Sequence, residues 1–162
     1  MPRGRMSTRF TQRGIPLVES QSLQLIQSAQ RLNDVITQYL SQRLGEKGYE
    51  SLTPSLLSFL SILECGVNYG SEIARKLDVT RQMVAKTVKQ LCQLGYLEQI
   101  DGAGKQKEIH FTETGEYLMS DARQLLSEMD EILFKDVDAR TPQAIIGELN
   151  IMICAVNNRR HT

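Results

Sequence analysis

Residues 70–112 read GSEIARKLDVTRQMVAKTVKQLCQLGYLEQIDGAGKQKEIHFT, and their punctuation decides the fold. Gly70-Ser71 reads as the cap of a short helix, Glu72–Leu77, and Asp78-Val79 as a tight turn. Thr80 then caps a second helix, Arg81–Leu94, which Gly95 ends. Two short helices joined by so short a turn cross steeply, as in a helix-turn-helix. Small Ala74 permits their close approach, and Ile73, Leu77, Val84, Val88 and Leu91 supply the shared core. Val84, Val88 and Leu91 step i, i+4, i+7 and define the buried side of the second helix. Arg81, Gln82, Ala85, Lys86 and Lys89 fall on the outward side.

That outward side has the chemistry of a duplex reader. Arg and Gln make bidentate bonds to base edges, Lys neutralises phosphate, and a small Ala lets a helix lie close in a major groove. Thr80 and the free N–H groups of the first turn suit a phosphate at the helix N-terminus, and Ser71 occupies the matching place on the first helix. After Gly95, Tyr96–Ile100 reads as a strand, Asp101-Gly102-Ala103-Gly104 as a turn, and Ile109–Phe111 as the returning strand. A hairpin directly after a helix-turn-helix makes a winged helix. Lys105 and Lys107 near the tip of this wing are placed to grip phosphate or enter a minor groove.

Working outward, both flanks are helical. Leu25, Ala29, Leu32, Ile36 and Tyr39 give the long helix of residues 17–44 a seam ended by Gly45 and Gly48. Thr53-Pro54 starts a further helix carrying Leu56, Leu57, Leu60 and Leu63, which Gly66 stops. On the far side, Leu118, Ala122, Leu125, Met129 and Ile132 repeat the seam, and Thr141-Pro142 caps a last helix with Ile145, Leu149, Met152 and Val156. Such seams at both ends predict a helical dimerisation layer. The expected class is therefore mainly α with a small β-hairpin wing. A basic irregular arm spans 1–16, an N-terminal dimerisation helix 17–45, a winged helix-turn-helix 46–116, and C-terminal dimerisation helices 117–162.

The composition is compatible with that plan and excludes others. The chain has 162 residues, 19 Lys+Arg and 19 Asp+Glu, so its net charge is zero, but the charges are segregated. The arm holds Arg3, Arg5, Arg9 and Arg13 with no acid, residues 70–107 net +3, and residues 113–138 net −6. A local basic patch, rather than the total, is what a phosphate backbone meets. Three cysteines, Cys65, Cys92 and Cys154, form no Cys-x-x-Cys site. With only His110 and His161 beside them, neither a metal site nor any cofactor is expected, and no catalytic constellation emerges, so the chain reads as a non-enzyme. No apolar run approaches the roughly 20 residues that span a bilayer, which points to a cytoplasmic protein without a membrane partner.

The sequence resembles the MarR-type (multiple antibiotic resistance) winged-helix regulators. The resemblance lies in Leu52-Thr53-Pro54, Glu72–Thr80 and Leu91-Cys92-Gln93-Leu94-Gly95-Tyr96-Leu97, and in Phe111-Thr112-Glu113-Thr114-Gly115, which matches the family's Leu-Thr-x-x-Gly. It covers residues 17 to about 157. It departs at the wing, where the family's Asp-x-Arg is replaced by Ala103-Gly104-Lys105, so minor-groove shape readout is expected to weaken. The resemblance implies a homodimer on a pseudo-palindromic double-stranded operator, a repressor modulated by a small aromatic or anionic effector. Tyr39, Tyr69 and Arg31 are candidate pocket residues only. Cys65, Cys92 and Cys154 read as packing residues, Cys92 being the better candidate for oxidation because Lys89 lies near it. The alternative function is a winged-helix protein-interaction module without sequence-specific DNA binding.

Overall fold

Ser20 sets the start of the first long helix in the computed structural model, which describes residues 9–18 and 20–160. Its hydroxyl accepts the Leu23 N–H at 3.3 Å, and α1 runs Gln21–Glu46, so it begins later than the seam suggested and passes through Gly45. Gly48, with φ 98°, makes the turn that follows. Ahead of α1 the expected irregular arm is instead a small hairpin. Strands β1 (Arg9–Phe10) and β2 (Pro16–Leu17) pair antiparallel around a turn in which Thr11 Oγ1 accepts the Arg13 and Ile15 N–H groups. Gly14, at φ 75°, supplies the left-handed residue of that turn. The rest of the arm, with Arg3 and Arg5, and His161 lie outside the described residues.

The chain divides after Ser61 into two compact units. In the first, α2 (Pro54–Ser61) starts where Thr53 Oγ1 accepts the Leu56 N–H at 3.2 Å. The Ser41 hydroxyl ties α1 to the carbonyl of Leu52. Leu40, Leu44, Leu52, Leu56, Phe59 and Leu60 are buried.

The second unit opens with a loop where the α2 helix was expected to continue to Gly66. The reason is Asn68, which is 5% exposed. Its Oδ1 accepts the Glu64 N–H, and its Nδ2 donates to the carbonyls of Glu64, Gly66 and Ile109. Asn68 thereby shapes the turn and begins a strand the sequence did not reveal, β3 (Asn68–Tyr69). Cys65 consequently sits in this loop, exposed, with the Arg123 guanidinium 3.9 Å from its sulfur, and is not a core residue.

Helix α3 (Gly70–Leu77) includes Gly70 and Ser71 rather than being capped by them, since Tyr69 is the N-cap. Asp78, left-handed at φ 53°, ends α3, and Thr80 Oγ1 accepts the Met83 N–H at 3.2 Å to start α4 (Arg81–Gln93). Gly95, at φ 83°, closes α4: its N–H meets Cys92 O and the Tyr96 N–H meets Leu91 O, both at 3.0 Å. Strands β4 (Leu97–Asp101) and β5 (Lys107–Phe111) form the wing, and β3 adds to β5 to give the order β3-β5-β4. Asn68 pairs with Ile109, and Leu97 with Phe111.

Thr112 then joins wing to helix. Its N–H meets Tyr96 O, its hydroxyl donates to Gly95 O, and its Oγ1 accepts the Gly115 N–H, starting α5 (Glu113–Phe134). A Cβ on Gly115 would lie 2.0 Å from Tyr96 O, which explains why glycine ends the Phe111–Gly115 motif. Leu118, Ala122, Leu125 and Met129 bury the α5 seam. The last helix, α6 (Thr141–Arg160), contains Thr141 rather than being capped by it; the Asp138 carboxylate accepts the Arg140 N–H in the preceding turn. Cys154 is exposed on α6, against the expectation of packing. Among the described residues no helix is long and apolar enough to cross a membrane.

Candidate nucleic-acid interface

Helix α4 is amphipathic because its three apolar anchors consume one side completely. Val84, Val88 and Leu91 are 2%, 1% and 0% exposed. Arg81, Gln82, Ala85, Lys86 and Lys89 are all exposed, as the periodicity predicts. They do not form a single flat face, however. Gln82, Lys86 and Lys89 point directly away from the buried side, whereas Arg81 and Ala85 flank it and line a crevice with Gln99, Gln106 and Lys107 of the wing. Met83, Gln90 and Gln93 share the exposed surface of α4, and sequence reasoning passed over them.

The wing is set against α3 by a hydrogen bond. Ser71 Oγ donates to Gln106 Oε1 at 3.1 Å, so Ser71 holds the wing instead of capping its helix. Lys107 is the first residue of β5, paired with Asp101, while Lys105 sits in the exposed tip. Tyr69, Ser71, Arg75, Lys105 and Gln106 border a second crevice, into which Glu72 also projects. Gln99, Gln106 and Arg75 are thus brought to the site without having been singled out. Their signal is tertiary, because each gains its place only when the wing folds back on the helices. At the wing base His110 Nε2 lies 2.9 Å from Glu108 Oε2. Tyr69 is half-buried beside this site, whereas Tyr39 (half-buried) and Arg31 (exposed) belong to α1.

The electrostatics are simple. Lys76 is paired with Glu64 at 3.2 Å. Among the described residues Arg75, Arg81, Lys86, Lys89, Lys105 and Lys107 have no carboxylate within ion-pair distance, so their charge is free for an external anion. Cys92 corrects one expectation: partial burial, and then the Glu98 carboxylate, push its thiol up rather than Lys89 pulling it down. No group of His, Cys, Asp and Glu among the described residues could hold a metal ion.

This fold recurs in solved structures. A MarR transcriptional regulator from Methanosarcina mazei aligns with TM-score 0.70 and 21% identity over 86% of this chain and 99% of that one. The chain has the MarR-type winged-helix fold. A MarR protein from Peptoclostridium difficile gives 0.71 at 16% identity over 88% and 94%. The DNA complex of Staphylococcus aureus MepR gives 0.65 at 16% over 85% and 98%. No family model and no curated protein matches the sequence itself.

Proposed function

We propose that the chain is a dimeric, sequence-specific DNA-binding transcriptional regulator of the MarR type, acting in the cytoplasm as a repressor. The observation that carries this reading is the unpaired basic surface of α4 and the wing, in a fold also seen bound to DNA in MepR. Arg81 and Gln82 read base edges at the start of α4, and Ala85 allows the helix to approach them. Lys86, Lys89, Lys105 and Lys107 neutralise phosphates, Thr80 offers its helix N-terminus to another, and Ser71 fixes the wing through Gln106. Residues 46–116 form the DNA-binding region, and 17–45 with 117–162 the dimer layer. Two α4 helices enter successive major grooves about 34 Å apart on a pseudo-palindrome. A small aromatic or anionic effector acts by favouring one spacing of the two helices.

The dimer layer is supported by apolar surface left open in a single copy. Leu25, Ile26, Leu32 and Val35 of α1 are 41–64% exposed, and Ile145, Ile146, Ile151 and Ile153 of α6 are 50–64% exposed. Binding to duplex DNA by fluorescence anisotropy across a salt series tests the whole. A dimer making roughly six to ten phosphate contacts loses about 10³–10⁵ in affinity between about 50 and 200 mM salt. Salt-insensitive or absent binding would instead favour a protein-interaction module.

A further inference from the structure

Two surfaces elsewhere in the molecule are unmatched in opposite senses. The first is the amino-terminal hairpin. Two-stranded hairpins are marginal alone in water, and this one leaves Phe10, Ile15, Leu17 and Val18 exposed at 62%, 58%, 52% and 74%. It is also purely basic: Arg9 and Arg13 lie on it, Arg3 and Arg5 precede it, and no acid occurs before Glu19.

The second surface is the corner between α5 and α6. Phe134, Val137, Pro142 and Ile146 line a groove there together with Asp130, Glu131 and Lys135. Asp136 and Asp138 follow in the turn, so residues 128–138 hold five carboxylates against the single Lys135. An apolar groove in a stretch with an excess of acid complements an apolar hairpin studded with arginines.

We infer that the hairpin of one copy docks into the groove at the α5–α6 corner of a second copy, an inference that rests on the dimeric reading above. The second copy is favoured because Ile146 belongs both to the groove and to the open apolar surface of α6, so the groove is continuous with the surface proposed to self-associate. A nucleic-acid role for the hairpin would use its arginines but would leave Phe10, Ile15, Leu17 and Val18 uncovered.

Photo-cross-linking of the full chain tests this. Benzoylphenylalanine replaces Phe10 in a heavy-isotope-labelled preparation, which is mixed with unlabelled protein, equilibrated, irradiated and mapped by mass spectrometry. The expected products join heavy hairpin peptides to light peptides covering residues 130–146. Arg9→Glu with Arg13→Glu lowers their yield roughly tenfold, because attraction becomes repulsion at two places, and Asp130→Lys with Glu131→Lys in the same chain restores it. Sedimentation of the same samples separates the failures. A dimer whose cross-links join only like-isotope peptides overturns the docking and leaves the dimer standing. A monomer at every concentration overturns both. Absent cross-links, with arginine reversal lowering only duplex affinity, make the hairpin a nucleic-acid contact and overturn the docking as well.

Discussion

Helices α4 and α6 are built from similar apolar fractions, yet the chain treats them in opposite ways. In α4 three apolar residues line up on one side and vanish: Val84, Val88 and Leu91 are at most 2% exposed, leaving a mainly polar surface outside on which Met83 is the large apolar exception. In α6 they are scattered around the helix, and Ile145, Ile146, Leu149, Ile151, Met152, Ile153 and Val156 are 37–64% exposed. A helix that satisfies its apolar side within its own chain is free to act through its polar side. A helix that does not leaves apolar surface for a further contact, which the proposed function gives to a second copy. This contrast is what the proposal of DNA at α4 and self-association at α6 rests on.

Truncating one residue of each helix tests the contrast most severely. Leu91→Ala should cost about 2–5 kcal/mol of stability, because a fully buried leucine leaves a cavity. Ile151→Ala, at a concentration where sedimentation gives monomer, should stay within about 0.5 kcal/mol of the parent in urea unfolding while raising the concentration needed for self-association. Equal costs under monomeric conditions would mean that α6 is buried within its own chain. The joint between wing and α5 is the next largest effect. Gly115→Ala drives a Cβ to 2.0 Å from Tyr96 O, a rigid backbone atom, and should cost about 1–3 kcal/mol in thermal unfolding. Gly102→Ala meets only the flexible Glu108 side chain, at 2.9 Å, and should be tolerated within about 0.5 kcal/mol.

The polar side of α4 is sharpened by comparing two cations. Arg81→Ala should cost about 1–3 kcal/mol and relax preference at one base pair. Lys107→Ala should weaken all duplexes alike and reduce the salt slope by about 1. If Arg81→Ala behaves as Lys107→Ala does, Arg81 contacts phosphate and base reading falls to Gln82 and its neighbours. The wing tip adds a related test, since Lys105 stands where the resemblance noted in the sequence implies an arginine. A duplex series varying only the flanking A-tract should show little discrimination.

The helix-turn-helix was legible because its signals are local. Thr80, Thr53 and Thr112 bond N–H groups three residues on, and Gly95 takes a left-handed φ that favours glycine, so each boundary is written where it acts. The early end of α2 was hidden for the opposite reason. Asn68 bonds Glu64 and Gly66 nearby but also reaches across 41 residues to Ile109 O, and that long-range contact has no local signature. The hairpin at Arg9–Leu17 was missed because strands of two residues carry no alternation to read. At the candidate site, the exposed residues of α4 followed from periodicity. The crevice that turns Arg81 and Ala85 toward Gln99, Gln106 and Lys107 did not, since it exists only once the wing has closed on α3 and α4.

Cys92 gives the smallest effect and the finest view of the α4 boundary. It lies at the edge between buried and exposed sides, where Lys89 would favour its thiolate and burial would oppose it. Burial prevails, reinforced by Glu98, and the thiol is raised from its ordinary value of 9.0. A thiol is neutral when protonated, so a raised folded pKa stabilises the fold below the unfolded value, and that contribution is lost as pH rises through the folded one. Iodoacetamide modification of Cys92, followed by peptide mass spectrometry, should therefore show a midpoint above 9.0. Glu98→Gln should move the midpoint down while leaving it above 9.0, because desolvation is the larger cause. A midpoint below 9.0 in the parent chain would show that Lys89 governs the thiol, and would make Cys92 reactive at the back of the helix proposed to bind DNA.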